Sequence, residues 1–181
     1  MRVVTRNLTA AVLLAMLIAC DAAQADDSAK KPTTITFADG KLAMTAPKEW
    51  EQRKPTNRII EYEFAVPAAE GDSEAGRFTA GAMGGGVKEN IARWQGQFAS
   101  GAKSTSKTAK VAGYDVHFVD LSGTYVGSPF MKIEPKEKYR MLAAVVVTDK
   151  LGSHFVRVYG PEKTIAANEK AFQAMVESLK K

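Results

Sequence analysis

The sequence predicts an α+β domain built on a mainly antiparallel β-sheet flanked by helices. Three observations carry that expectation. Apolar and polar residues alternate in short runs punctuated by glycine, proline and aspartate; two later stretches switch to helical spacing; and the strand-like runs follow one another through short turns, which favours antiparallel pairing.

The first element is a hairpin. Ile35 and Phe37 alternate with Thr34 and Thr36, Asp39-Gly40 supplies a positive-φ pair, and Leu42 and Met44 alternate on the return. Pro47 cannot donate to a strand ladder, so Pro47 to Trp50 ends the run and sets Trp50 as a core or rim anchor. Arg58 to Val66 reads as a strand with Ile60, Tyr62, Phe64 and Val66 on one face and Glu61 and Glu63 facing solvent. Residues 67 to 76 hold turn formers and charge without a period, and so form an exposed loop.

A strand follows over Arg77 to Met83. Past Gly84-Gly85-Gly86, the residues Val87, Ile91, Trp94 and Phe98 recur at helical spacing, predicting a helix that packs on the sheet and stops near Gly101. Thr105 to Val111 and Tyr114 to Tyr125 form a second hairpin around Ala112-Gly113, with Gly123 marking a bulge. Ser128 to Glu137 is a surface connection. Tyr139 to Val147 is apolar and β-branched enough for a central strand, and Asp149 to Gly152 turns it into Ser153 to Tyr159. After Gly160-Pro161, the residues Ile165, Phe172, Met175, Val176 and Leu179 mark one face of a closing helix, with Lys180 and Lys181 placed at its C-terminal end where positive charge is favourable.

Ahead of this domain the pattern is that of an address. Arg2 and Arg6 precede an uncharged apolar run from Leu8 to Ala19, and Asp21, Asp26 and Asp27 restore polarity, the layout of a signal peptide over residues 1–19. Leu17-Ile18-Ala19-Cys20 fits a lipoprotein box, making Cys20 a lipid-accepting residue; Ala23-Gln24-Ala25 offers an ordinary cleavage site as the alternative, with release of a soluble periplasmic or secreted protein after Ala25. Cys20 is the sole cysteine, so no intramolecular disulfide exists. Residues 20–32 then read as a flexible tether and 33–181 as one domain.

Loss of Arg2 and Arg6 with that segment lowers the net charge from +5 to +3. The lysines are dispersed rather than banded with aromatics, which excludes a nucleic-acid partner.

Chemistry-bearing patterns are sparse. His117 and His154 lack Cys, Asp or Glu at ligand spacing, so no metal is expected; a meeting of the two histidines across adjacent strands near Asp120 is the one arrangement that would give them an acid–base role. No Gly-x-Ser-x-Gly elbow or Cys–His pair occurs, and no cofactor motif is present. Glu61 and Glu63 share a strand face but lie in no sugar-binding context. Gly84, Gly85 and Gly86 before a helix, with Lys88, make a weak anion-binding candidate, against the simpler reading of a close-packed turn.

From Thr33 to Lys180 the order of elements resembles the PsbP-like fold. The resemblance is carried by Pro47 to Trp50, by Gly113 to Gly123 with Tyr125, and by Gly160-Pro161 leading to Phe172 and Ser178-Leu179-Lys180. It implies a three-layer α/β/α sandwich of the kind shared by an extrinsic photosystem II subunit, a Ran-binding import factor and small bacterial lipoproteins. None of these pieces is a catalytic motif, so no site residue is transferred.

The expectation is a non-catalytic, membrane-tethered envelope module that binds a protein partner. The alternative is a small-ligand or lipid carrier with a pocket between sheet and helices near Trp50, Trp94 and Tyr125; a hydrolase is the remote third reading.

Overall fold

The computed structural model describes residues 31–129 and 133–181. Strands β1 (Thr33–Phe37) and β2 (Leu42–Ala46) form a two-stranded sheet of their own. Phe37 sits opposite Leu42, so four residues connect them rather than two. Asp39 and Gly40 have the expected positive φ, but so does Ala38, and Lys41 N–H closes the turn on the Ala38 carbonyl at 3.2 Å.

The larger sheet holds seven strands: β3 (Glu51–Arg53), β4 (Tyr62–Val66), β5 (Gly76–Ala82), β6 (Lys103–Val111), β7 (Tyr114–Tyr125), β8 (Lys136–Thr148) and β9 (Gly152–Pro161). Their order is β3-β4-β5-β9-β8-β7-β6, and every neighbouring pair is antiparallel. The apolar run expected to be central is central: β8 lies between β9 and β7, buried on both faces. Gly123 has φ 153° and marks the register shift between β7 and β8.

Helices α1 (Val87–Gln95) and α2 (Glu162–Glu177) cover opposite faces of this sheet. The strand period of two sorts the side chains. Val116, Leu142, Ala144, Val146, Val156 and Val158 turn toward α2 and the β1–β2 hairpin. Val119, Leu121, Met141, Val145, Phe155 and Tyr159 turn toward α1. The chain therefore has the α+β architecture predicted for it, with the sheet as the middle layer.

Several boundaries differ from the sequence reading, each for a local reason. The strand expected from Arg58 starts at Tyr62, because the Asn57 side-chain oxygen accepts the N–H groups of Ile59 and Ile60 and holds that stretch as a turn. Glu63 is not solvent-facing: it is 7% exposed and bonded to Arg77. The polar, exposed β3 carries no alternation and was invisible to periodicity. Helix α1 ends at Gln95, before Phe98, whose backbone leaves the helix to bridge Tyr125. Lys180 and Lys181 are not in the last turn of α2; Lys180 bridges Ala43, and the Lys181 ammonium lies over the Tyr114 ring.

The 67–76 connection is tied down rather than merely exposed. Its Asp72 carboxylate accepts the backbone N–H of Thr164 at 3.0 Å and the Thr164 hydroxyl at 2.6 Å, satisfying a donor in the first turn of α2 from a distant segment.

Candidate functional site

Residues singled out in the sequence fall on different sides of the molecule. Trp50 belongs to the core beneath α2, tilted against Phe78 with ring centroids 5.3 Å apart, and its Nε1–H is donated to Asn168 at 3.1 Å. Trp94 and Tyr125 belong to the core beneath α1. The sheet separates Trp50 from the other two, so no single pocket is shared by the three. Cys20 and the proposed cleavage sites lie outside the described residues.

The Gly84-Gly85-Gly86 turn does precede α1, with φ +92° at Gly85. Two of its carbonyls are already engaged, and an acid leans over it. The Asn90 amide donates to the carbonyls of Gly84 and Gly86, and the Glu89 carboxylate folds back so closely that a Cβ at Gly86 would stand 2.6 Å from its oxygen. An acid at that helix start occupies the position where an anion would sit.

The two histidines do not meet. Strand β8 separates β7 from β9, and the register puts His117 in the row of Val145 and Phe155 while His154 shares the row of Val116 and Val146, on opposite faces. His117 Nδ1 is bonded to the Thr108 hydroxyl, and His154 Nε2 to the Leu151 carbonyl. Among the described residues no group of His, Cys, Asp and Glu side chains is placed to hold a metal. Likewise, no described helix is long and apolar enough to cross a membrane.

What the fold does assemble is an arginine–tyrosine network on the α1 face. Tyr125 stacks on Tyr139 at 5.6 Å and lies 5.5 Å from Tyr159, while Arg77 and Arg157 flank the Tyr159 ring at 5.9 and 5.1 Å. Glu63 accepts two bonds from Arg77, and Arg77 also donates to the Tyr159 hydroxyl at 2.7 Å. Tyr139 donates to Glu74, which also pairs with Lys136. Burial pushes the phenols of Tyr125 and Tyr139 up to about 12, keeping both protonated. Burial also raises the Glu63 carboxyl, but the bonds from Arg77 and the Thr56 N–H outweigh it and hold Glu63 below its usual range. The signal for this network was available in the alternation Arg77, Thr79 and Arg157, Tyr159 on neighbouring strands, where long polar side chains interrupt otherwise buried positions.

Two surface concavities, one on each face of the sheet, bear on the candidate residues. On the α2 face a groove of about 320 Å³ runs between that helix and the β6–β7 hairpin, with Phe118, Leu142 and Phe172 as its apolar lining and Lys107, Asp120 and Glu169 as its charged groups. Arg140 clamps both acids, donating to Asp120 at 2.7 and 3.0 Å and to Glu169 at 2.8 Å. On the opposite face a small hollow of about 40 Å³ opens beside Trp94 and Arg157.

With sheet order, layers and surfaces in place, the chain is an α+β sandwich of PsbP-like fold. Cyanobacterial PsbP (CyanoP) from Synechocystis superimposes with a TM-score of 0.50 over 86% of this chain and 95% of its own, at 10% identity. LpqN, involved in cell envelope biogenesis of Mycobacterium tuberculosis, superimposes with a TM-score of 0.52 over 82% of this chain and 89% of its own, at 11% identity. No protein-family model matches the chain, and no characterised protein matches it in sequence. At such identities the likeness is one of fold.

Proposed function

We propose that this chain is a non-catalytic, membrane-tethered envelope module that binds an extended acidic segment of a partner protein along β6. One observation carries the reading: eight consecutive residues, 103–110, form an exposed edge strand whose outer side has no partner among the described strands. An open edge presents unpaired N–H and C=O groups ready to add a strand. Lys103 and Lys107 project on the α2 face of that edge, so the complementary segment is acidic, while Lys110 on the other face is paired with Asp115 at 3.0 Å. The adjoining groove supplies Phe118 and Phe172 for an apolar side chain.

The tether is Cys20 with its acylated terminus, and the address is the envelope; LpqN, a neighbour in fold, is an envelope-biogenesis protein. The ligand-carrier reading has less behind it, since Trp50 and Trp94 are packed in separate cores and the hollow beside Trp94 is far below the roughly 300–1,000 Å³ of a ligand pocket.

The test is site-specific photocrosslinking in the native host, with the crosslinker at Thr105 on β6 and, as control, at Gln52 on the opposite edge of the sheet. A single adduct from Thr105, missing from Gln52 and lost in a Lys103→Glu, Lys107→Glu double variant, supports the reading. No adduct, or the same adduct from both edges, overturns it. Mass spectrometry of the mature protein tests the tether: a diacylglyceryl cysteine at its N-terminus is expected, and a free Asp26 terminus refutes it.

A further inference from the structure

The turn that joins β6 to β7 fixes which backbone groups reach the free edge of the sheet. Ala112 and Gly113 both have positive φ, 51° and 87°, the signature of a two-residue type I′ turn, and Val111 sits opposite Tyr114. In such a hairpin the two residues flanking the turn bond each other, and bonded and non-bonded pairs alternate from there along the ladder. Val111, Ala109, Lys107, Thr105 and Lys103 therefore direct their N–H and C=O groups to β7. Ser104, Ser106, Thr108 and Lys110 turn theirs outward, to the open edge.

That phase sets how an added strand sits. Pairing through the even-numbered residues makes Lys103, Thr105 and Lys107 its non-bonded partners, the pairs in which Cα atoms approach to about 4.5 Å and side chains meet most closely. All three project on the α2 face, because Ser122, Asp120 and Phe118 opposite them alternate with Val119 and Leu121 of the α1 core. Neither lysine has an ion pair among the described residues, and Lys107 leans inward with its ammonium 5.5 Å from the Phe118 ring centroid. An acid opposite each makes a close cross-strand pair of opposite charge. Thr105, between them, is short and lines the same groove as Phe118 and Phe172, so the residue opposite it is apolar.

The other face of the edge is asymmetric along its length. Beside Ser104 a hollow of about 250 Å³ opens on the α1 side, lined by the buried Leu121 and Phe98 and by Ala99, Ala102 and Gln95. Ser104 stands opposite Leu121 and is bonded to the Gln95 amide at 3.0 Å, so only a small side chain separates this hollow from the edge. Its volume is under the roughly 300–1,000 Å³ of a small-molecule pocket and suits a single aliphatic side chain.

We propose that the β6 edge selects an antiparallel strand of the pattern acid, any residue, apolar, aliphatic, acid, read from its N-terminal end. The two acids stand opposite Lys107 and Lys103, the apolar residue opposite Thr105 turns to the α2 groove, and the aliphatic residue opposite Ser104 enters the α1 hollow. Antiparallel addition continues the pairing of every neighbour in the larger sheet and places residues directly opposite one another. The proposal rests on the reading of β6 as a partner-binding edge and adds register, direction and side-chain pattern to it.

The experiment is an NMR titration of the ¹⁵N-labelled protein with the capped peptide Thr-Glu-Thr-Leu-Leu-Glu-Thr and with Thr-Glu-Leu-Leu-Thr-Glu-Thr. The second keeps both acids and the central apolar residue but moves the aliphatic residue from Ser104 to Ser106. Slowed solvent exchange at the Ser104, Ser106 and Thr108 amides is expected, with no gain at Thr105 and Lys107, whose N–H groups are already bonded to β7. The first peptide should bind about fivefold more tightly than the second; Lys103→Glu should weaken it about fivefold, with recovery when the peptide's second acid becomes lysine. Protection gained at the odd-numbered amides, equal or tighter binding of the second peptide, no recovery by the charge-swapped peptide, or no binding at all overturns the proposal. Equal binding of both acidic peptides removes the pattern while leaving β6 as an edge for acidic segments, whereas a silent Thr105 photocrosslink removes that edge itself.

Discussion

Glu63 on β4 and Arg77 on β5 are joined by two hydrogen bonds, of 2.8 and 3.0 Å, within a largely buried pair of strands. The carboxylate side chain is 9% exposed and the guanidinium 31%, so removing one partner strands a poorly hydrated charge. Glu63→Ala is expected to cost about 3 kcal/mol in urea denaturation, while Glu63→Leu combined with Arg77→Met recovers most of that loss. The pair also sets acid sensitivity. With its folded pKa held below the ordinary 4.5, Glu63 contributes stability that is complete above that value and is lost as pH falls through the folded pKa.

Asn168 bridges three elements: its oxygen accepts the Trp50 Nε1–H, and its amide donates to the carbonyls of Pro67 and Thr164. Asn168→Leu leaves the nearly buried indole donor of Trp50 without an acceptor. The expected loss is about 1–3 kcal/mol, read as a lowered denaturation midpoint with unchanged slope.

Gly81 is required by a close approach. A Cβ there would stand 2.4 Å from the Ile59 carbonyl oxygen, in a turn fixed to β5 by the Glu61 N–H bond to Ala80. Gly81→Ala is expected to destabilise by about 1–3 kcal/mol and to displace the 59–61 turn. Gly84→Ala, where nothing lies within 4 Å, is the control and should change stability by less than about 0.5 kcal/mol. Thermal denaturation of both variants makes the comparison.

His154 is 4% exposed against Phe37, with ring centroids 5.2 Å apart. Since the Leu151 carbonyl only accepts, Nε2 carries the proton of the neutral ring and Nδ1 faces no donor. Burial lowers its pKa below the ordinary 6.5, offset only in part by the Leu151 bond and the Glu61 charge. The unfolded chain therefore takes up the proton first, and the stability His154 provides is full above pH 6.5 and falls as pH drops below it. His154→Phe should lose less stability than the parent between pH 7 and pH 5, as measured by urea midpoints at both values.

Periodicity made the larger elements legible: β8 shows itself through its unbroken apolar run, and the β6–β7 turn through Ala112-Gly113, because each follows from nearest-neighbour chemistry. What stayed hidden depended on distant partners. Glu63 looks like a surface acid until Arg77 is placed opposite it, β3 exists only because β4 offers an edge, and Phe98 leaves its helix to meet Tyr125. The separation of Trp50 from Trp94 follows from which sheet face each helix covers, which no local spacing encodes.

The small β1–β2 sheet holds its two strands unequally. β2 is pinned to Lys180 by paired backbone bonds of 3.0 Å from Ala43 and to Ser178 by the Thr45 N–H bond, whereas β1 has its ladder to β2 and, beyond it, only the bonds of Thr36 to the Tyr62 hydroxyl at 3.2 Å. Force drawn through residue 32 would meet that ladder from its open end and unzip it one bond at a time from Thr33 toward the 38–41 turn, reaching the seven-stranded sheet only where Thr36 is bonded to Tyr62. Mechanical strain would thus be registered first as the uncovering of Ile35 and Phe37, a local and reversible yielding that spares the rest of the molecule.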